Sequence, residues 1–373
     1  MTLSLRTRTL GASPVREILK IATQSETISF AGGLPSADCF PALDYASLDD
    51  HCLQYGTSEG DTPLREAVVE LMARRGLICT VEQVLVLSGS QQGIDLVAKL
   101  MIDPGTPVAV EAPTYIAALQ AFRFFGAAFK PFNVGEPLPD APLVYINPTF
   151  QNPTGYCYSV DERQSIAAQA KNSVLFEDDP YHDLNFDALP TPPIVTFCEN
   201  QSWIYQSSFS KSLAPGLRLG FIVASADLID TLTYLKQAAD LHSCRISQSL
   251  VTSFLSTDKM ATHNAQLCER YQAKRDIFDE AITRHCSDLG RWTPPAGGLF
   301  FWLQLNQQID AIALLQQCLT RKVAFMPGEH FYASAVNQSA IRLNFSNAPI
   351  DQIDHGVSII AEEIRRAYEQ KTS

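Results

Sequence analysis

Residues 81–102, VEQVLVLSGSQQGIDLVAKLMI, carry two hydrophobic periods back to back. Val84–Leu87 is apolar at every position and stops at Ser88-Gly89, the pattern of a short buried strand. From Ser90 the apolar residues fall at helical spacing, so a helix follows the strand after one tight turn. The alternation repeats outward from there. PVAVEAP (107–113), PLVYINP (142–148), SVLFEDDP (173–180), SWIYQSSF (202–209) and LRLGFIVAS (217–225) read as strands. TYIAALQAFRFFG (114–126), VDERQSIAAQAKN (160–172) and ADLIDTLTYLKQAAD (226–240) read as helices, the second with Asp161 and Glu162 suited to its first turn. Strand–helix repetition predicts an α/β fold, a mostly parallel sheet with helices on both faces. Such sheets bind ligands outside the carboxyl ends of their strands.

The last third changes character. GGLFFWLQL (297–305) and AIRLNFS (340–346) look like strands beside the helices AIALLQQCLTRK (311–322) and DHGVSIIAEEIRRAYEQ (354–370), which predicts a smaller α+β unit. The expected division is an N-terminal segment, 1–45, packing with the small unit, a large domain over 46–264, and the small domain over 265–373.

The 373 residues hold 28 Lys and Arg against 40 Asp and Glu, a net charge of −12, which argues against nucleic acid as a partner. The opening stretch MTLSLRTRTLGASPVREILK lacks the apolar core of a secretory signal, and no apolar run suits a membrane span. Nine cysteines lie dispersed, the nearest pair (Cys39 and Cys52) 13 positions apart, so neither a CxxC motif nor a zinc knuckle is present. Reduced thiols and a cytoplasmic location are expected. Seven scattered histidines predict no metal site.

Five strand ends concentrate chemistry. In SSFSKSLAPGLRLGF (207–221), Ser208, Ser210 and Arg218 offer hydroxyl and guanidinium donors to a phosphate, beside Lys211. A neighbouring cation would disfavour the ammonium form of that lysine, as Schiff-base chemistry requires. A lone SxSK is usually a solvated loop; the spacing through Arg218 argues otherwise. INPTFQNPTG (146–155) sets Asn147 and Asn152 in Asn-Pro turns, where an amide can donate to a ligand oxygen or simply shape a turn. FEDDPY (176–181) closes a strand with Asp178, Asp179 and Tyr181, and an acid there could keep a ring nitrogen protonated or merely cap a turn. Gly89, Ser90 and Gln91 in SGSQQG form a turn whose N–H groups could cradle a phosphate, a weak signal alone. Tyr115, in APTY, could stack on a planar ring.

Together, SxSKxxxPGxRxG, NPTG and DDPY in this order resemble the fold-type-I pyridoxal-phosphate aminotransferases of class I/II. Within them the chain looks most like the branch of α-aminoadipate and kynurenine aminotransferases and the C-terminal domains of MocR-type regulators. The likeness runs from REILK and ISFAGGLPSADCFP through QYGTSEGDTPLREAV to IRLNFS. It implies pyridoxal 5'-phosphate as cofactor, Lys211 as its Schiff-base lysine, Asp178 as partner of the pyridine nitrogen, and Tyr181 and Asn152 as donors to the phenolic oxygen. It further implies Tyr115 as the stacking ring and Gly89, Ser90, Gln91, Ser208, Ser210 and Arg218 as the phosphate cup. Tyr55 would reach the phosphate from the other subunit of a homodimer with shared active sites. Arg342, with Gly33 nearby, would hold the substrate α-carboxylate, and Arg16, on a helix over the site mouth, would meet a distal carboxylate or turn away. A solvated Arg16 is an equally open reading.

The implied reaction is transamination between an amino acid and a 2-oxo acid, with 2-oxoglutarate as acceptor, in ping-pong fashion. A lyase on the same scaffold is the alternative, although an arginine on the carboxylate disfavours decarboxylation. A ligand-sensing MocR-like domain is less expected, because SFAGGLP starts at residue 29 and leaves little length for a helix-turn-helix before it.

Overall fold

The computed structural model describes residues 4, 6–7, 27–256 and 259–372, so Arg16 lies outside the described residues. In chain order the strands are β1 (Ile28–Ser29), β2 (Val84–Leu87), β3 (Pro107–Glu111), β4 (Ala128–Phe132), β5 (Leu143–Ile146), β6 (Val174–Asp178), β7 (Trp203–Ser208) and β8 (Gly220–Ala224), then β9 (Gly290–Arg291), β10 (Phe300–Leu305), β11 (Val323–Ala324), β12 (Met326–Pro327) and β13 (Ala340–Asn344). The helices are α1 (Thr62–Arg74), α2 (Ser90–Met101), α3 (Ile116–Phe125), α4 (Val160–Gln169), α5 (Ala226–Asp240), α6 (Arg245–Leu255), α7 (Lys259–Cys286), α8 (Ala311–Thr320) and α9 (Ile350–Thr372).

Seven strands form one sheet in the order β2-β8-β7-β6-β5-β3-β4. All neighbours are parallel except β8, which runs antiparallel to both β2 and β7. The chain therefore doubles back between Ser208 and Gly220, residues paired across the ladder, and the intervening loop holds Lys211 at the carboxyl end of the sheet. Strands β2, β5 and β8 are buried throughout, since helices cover both faces. Helix α4 starts at a capping box in which the Ser159 hydroxyl and the Glu162 carboxylate each accept the other's backbone N–H. Strand β4 was not foreseen: Pro131 and its exposed residues disguise it, and a proline is tolerated there because β4 is an edge.

A second, antiparallel sheet runs β12-β13-β10-β9, while β1 pairs in parallel with β11. Phe278, on α7, stacks on Phe301, and α9 packs along α7. The expected boundary between 264 and 265 falls inside the 28-residue α7. Met260 packs with Val251 and Phe254 of α6, whereas Leu267 and Tyr271 pack with β10 and β13. One helix thus serves two cores. Among the described residues no helix is long and apolar enough to cross a membrane, and all nine cysteines are free.

Candidate active site

A cavity of about 440 Å³ opens at the carboxyl ends of β5, β6 and β7. Gly33, Ser90, Gln91, Tyr115, Asn152, Asp178, Tyr181, Ser208, Ser210, Lys211, Arg218 and Arg342 all line it. Tyr55 does not: it is 77% exposed, with its ring edge-on to His242.

Lys211 sits on a helical turn that follows β7, where Leu213 N–H donates to the Phe209 carbonyl. Its Nζ donates to the Gly33 carbonyl at 2.7 Å. Burial, followed by the nearby Arg342 and Arg218 cations, pushes the amine down to about 8, so a sizeable fraction is neutral near physiological pH. Arg218 has a left-handed backbone, φ 49°, which turns its guanidinium against Gly89. A Cβ at Gly89 would collide with that guanidinium, and Gly89 itself has φ 84°. Ser90 opens α2 directly after it, so backbone N–H groups, hydroxyls and a guanidinium converge where an anion would lie.

Strand alternation separates the two acids. Asp178 faces the cavity, and Asp179 faces the opposite side of the sheet. Asp178 Oδ2 accepts from the Tyr145 hydroxyl at 2.8 Å and Oδ1 from Gln206 Nε2 at 2.9 Å. Burial pushes this carboxyl up to about 6, against the opposing pull of those two bonds. Burial also opposes ionisation of Asp179, yet His182, 3.1 Å away, with Arg75 and Arg163, holds it below its ordinary range.

Arg342, on β13, enters from the other sheet. Its guanidinium lies 4.3 Å from the Phe300 centroid and 5.0 Å from that of Phe331. One Nη donates to Asn152 Oδ1 at 2.7 Å, the other to the Ala31 carbonyl, and Nε is buried with no partner among the described residues. Burial lowers its pKa to about 10, which still leaves a cation at neutral pH. Asn152 Nδ2 reaches the Tyr181 hydroxyl at 3.5 Å.

The aminotransferase class I and II family matches residues 27–360. The chain belongs to this family. Aromatic-amino-acid aminotransferase 1 of Thermococcus litoralis is 35% identical over 95% of this chain and 92% of its own. The 2-aminoadipate transaminase of Thermus thermophilus is 33% identical over 95% of this chain and 94% of its own. The kynurenine aminotransferase of Pyrococcus horikoshii, solved in complex with PMP, superposes at TM-score 0.90 with 33% identity, covering 98% of this chain and 97% of its own. The protein is thus a fold-type-I aminotransferase dependent on pyridoxal phosphate.

The aminotransferase's cavity fits that cofactor on three observations. A buried primary amine has a lowered pKa, an anion cradle lies where Gly89 has no Cβ, and a buried acid lines the cavity. Gly89→Ala is expected to weaken pyridoxal phosphate binding about tenfold or more, since hydrogen bonds to charged groups contribute about 1.5–3 kcal/mol each. Titration of the apo-enzyme by absorbance checks it.

Sequence reasoning passed over the residue that shapes the Asn147–Asn152 loop of this aminotransferase. Glu111, at the end of β3, accepts from the Asn147 N–H at 2.8 Å, the Tyr158 hydroxyl at 2.9 Å and the Gln151 amide. Asn147 then donates to the Asp178 carbonyl and accepts from the Asn152 N–H at 2.8 Å. Burial pushes Glu111 up to about 8. The available signal was an acid ending an apolar strand. Glu111→Ala strands three donors at a buried place and is expected to cost about 3 kcal/mol, at about 1–3 kcal/mol per unmet group with partial hydration; urea unfolding measures it.

Proposed function

We propose that the enzyme moves an amino group from an amino acid to a 2-oxo acid, with 2-oxoglutarate as acceptor, by a ping-pong mechanism. The observation that carries this reading is one cavity holding both the Lys211 amine and the buried Arg342 guanidinium. Bound pyridoxal phosphate supplies an electrophilic carbon and a conjugated ring able to take up electrons from the substrate Cα.

The chain's own groups divide the remaining tasks. Lys211 tethers the cofactor and, once released, moves the proton at substrate Cα. Asp178 holds a proton on the ring nitrogen, and Asn152 and Tyr181 donate to the ring's phenolic oxygen. Tyr115 stacks on the ring. Gly89, Ser90, Gln91, Ser208, Ser210 and Arg218 hold the phosphate. Arg342 exchanges its bond to the Ala31 carbonyl for the substrate carboxylate near Gly33, which opposes loss of that carboxylate as CO2. In this reading a large unit, 46–264, binds the cofactor, and a small unit, 265–373, brings Arg342. Two subunits share the sites, with the exposed Tyr55 reaching the phosphate of its partner. The expected location is the cytoplasm, where thiols stay reduced.

The test is a screen of amino acids against purified holoenzyme with 2-oxoglutarate. Appearance of glutamate and an oxo acid supports transfer; ammonia release without glutamate would instead establish a lyase. Arg16→Ala is expected to lower kcat/KM for dicarboxylic substrates selectively, and an equal small effect on all substrates makes Arg16 an ordinary surface residue.

A further inference from the structure

The carboxylate of Asp178 is gripped from both sides by residues with no role in the reading above. The Tyr145 hydroxyl, from β5, bonds Oδ2 at 2.8 Å, and the Gln206 amide, from β7, bonds Oδ1 at 2.9 Å. Each comes from a strand flanking β6, so the acid is centred between its two neighbours in the sheet. Both donors are fully buried.

Their orientation is itself enforced. The Tyr145 ring is edge-on to Phe122 and Phe176, with centroids 5.4 Å away in each case. Gln206 fits only because α2 carries Gly93 opposite it: a Cβ there would overlap the carboxamide oxygen. That oxygen lies against the glycine with no hydrogen-bond partner among the described residues, while the NH2 group points at Asp178. Burying a carboxamide oxygen without a partner is unfavourable. The arrangement persists because the opposite amide orientation would turn oxygen toward carboxylate.

We propose that Tyr145 and Gln206 are positioning residues that hold the Asp178 carboxylate ionised and aimed at the cofactor's ring nitrogen, with Gly93 making the room for Gln206. Each donor occupies one oxygen and leaves a lone pair on the carboxylate free for the ring N–H. Two donors on an otherwise desolvated acid favour its charged form. The proposal rests on the reading that Asp178 faces the ring nitrogen.

The experiment compares two ligands on the apo-enzyme: pyridoxal phosphate and its deaza analogue, in which the ring nitrogen is replaced by a C–H group. The part of the wild-type preference for pyridoxal phosphate over the analogue that Asp178→Ala removes measures the Asp178 contact. Tyr145→Phe, which keeps both ring contacts, and Gln206→Met are each expected to shrink that preference about tenfold, the scale of one hydrogen bond to a charged group. Gly93→Ala, which leaves every donor in the sequence, is expected to act like Gln206→Met. Affinity for the analogue should stay unchanged, which also certifies the fold of each variant. In the apo-enzyme, ¹³C NMR should show the Asp178 pKa rising in the variants, because lost donors favour the neutral acid.

Equal loss of affinity for both ligands would mean that the two residues only support the sheet, and would overturn the proposal. Asp178→Ala separates the two levels. If it abolishes the preference while Tyr145→Phe and Gln206→Met leave it intact, the clamp fails and the site reading stands. If Asp178→Ala leaves the preference intact, the placement of the ring nitrogen is wrong and the proposal falls with it.

Discussion

Lys211→Ala is expected to lower turnover by about 10⁴-fold or more, because positioned proton transfer alone contributes about 10²–10⁴-fold and the covalent tether is lost with it. The fold should survive. Among the described residues the amine makes one hydrogen bond, to the Gly33 carbonyl, and the cradle at Gly89 and Arg218 does not depend on it. Part of the cofactor affinity should therefore remain, read as binding without the absorbance of a lysine adduct. Borohydride reduction of native holoenzyme and peptide mapping should place the pyridoxyl group on the peptide containing Lys211; a label on any other lysine overturns the assignment. The lowered pKa adds a pH signature. A lysine in water is half deprotonated only at its usual 10.5, whereas burial brings this one down to about 8. The attacking neutral form thus increases as pH rises through about 8, and apo-enzyme should recombine with pyridoxal phosphate faster on the alkaline side. A rate that is flat through that range would mean that the site does not depress the amine.

The strand–helix frame was legible because β2, β3, β5 and β6 are continuous apolar runs ending in polar turns, a pattern few alternatives share. The loop around Lys211 was legible for another reason: its neighbours in sequence, Ser208, Ser210 and Arg218, are its neighbours in space. Arg342 was placed by resemblance. No local pattern announces that an arginine on β13 will bond Asn152, 190 positions away. Glu111, Tyr145 and Gln206 stayed hidden because single polar residues in otherwise apolar strands carry no local signal, and their partners come from distant parts of the chain. The long helix α7 was missed because its buried positions face two different cores, which blurs the single apolar stripe that a helix normally shows. Tyr55 is a different case, since its expected contact lies on a second subunit.

Asp178→Asn is expected to reduce the rate of the half-reaction with an amino acid by about 10²- to 10³-fold, the range for losing one preorganised electrostatic contact in a closed site. The neighbouring substitution, Asp179→Asn, is expected to leave that rate within about tenfold and to act on stability instead, because it weakens buried contacts to the Tyr205 hydroxyl and the His182 ring. The difference follows from the pleat. Asp178 is the last residue of β6 and lines the cavity; Asp179 turns to the opposite face, where its Oδ2 meets the Tyr205 hydroxyl at 3.0 Å and His182 Nδ1 at 3.1 Å. An asparagine at 178 is neutral, so it cannot stabilise a cationic ring nitrogen, and the Tyr145 and Gln206 donors then face an amide that accepts through only one oxygen. The ring would lose its proton and with it much of its capacity to accept electrons from the substrate Cα. Single-turnover absorbance measures the rate, and urea unfolding of both variants measures the stability. A crippled Asp179→Asn beside a mild Asp178→Asn would place the ring on the other side of β6, and every role assigned along that strand end would shift by one residue.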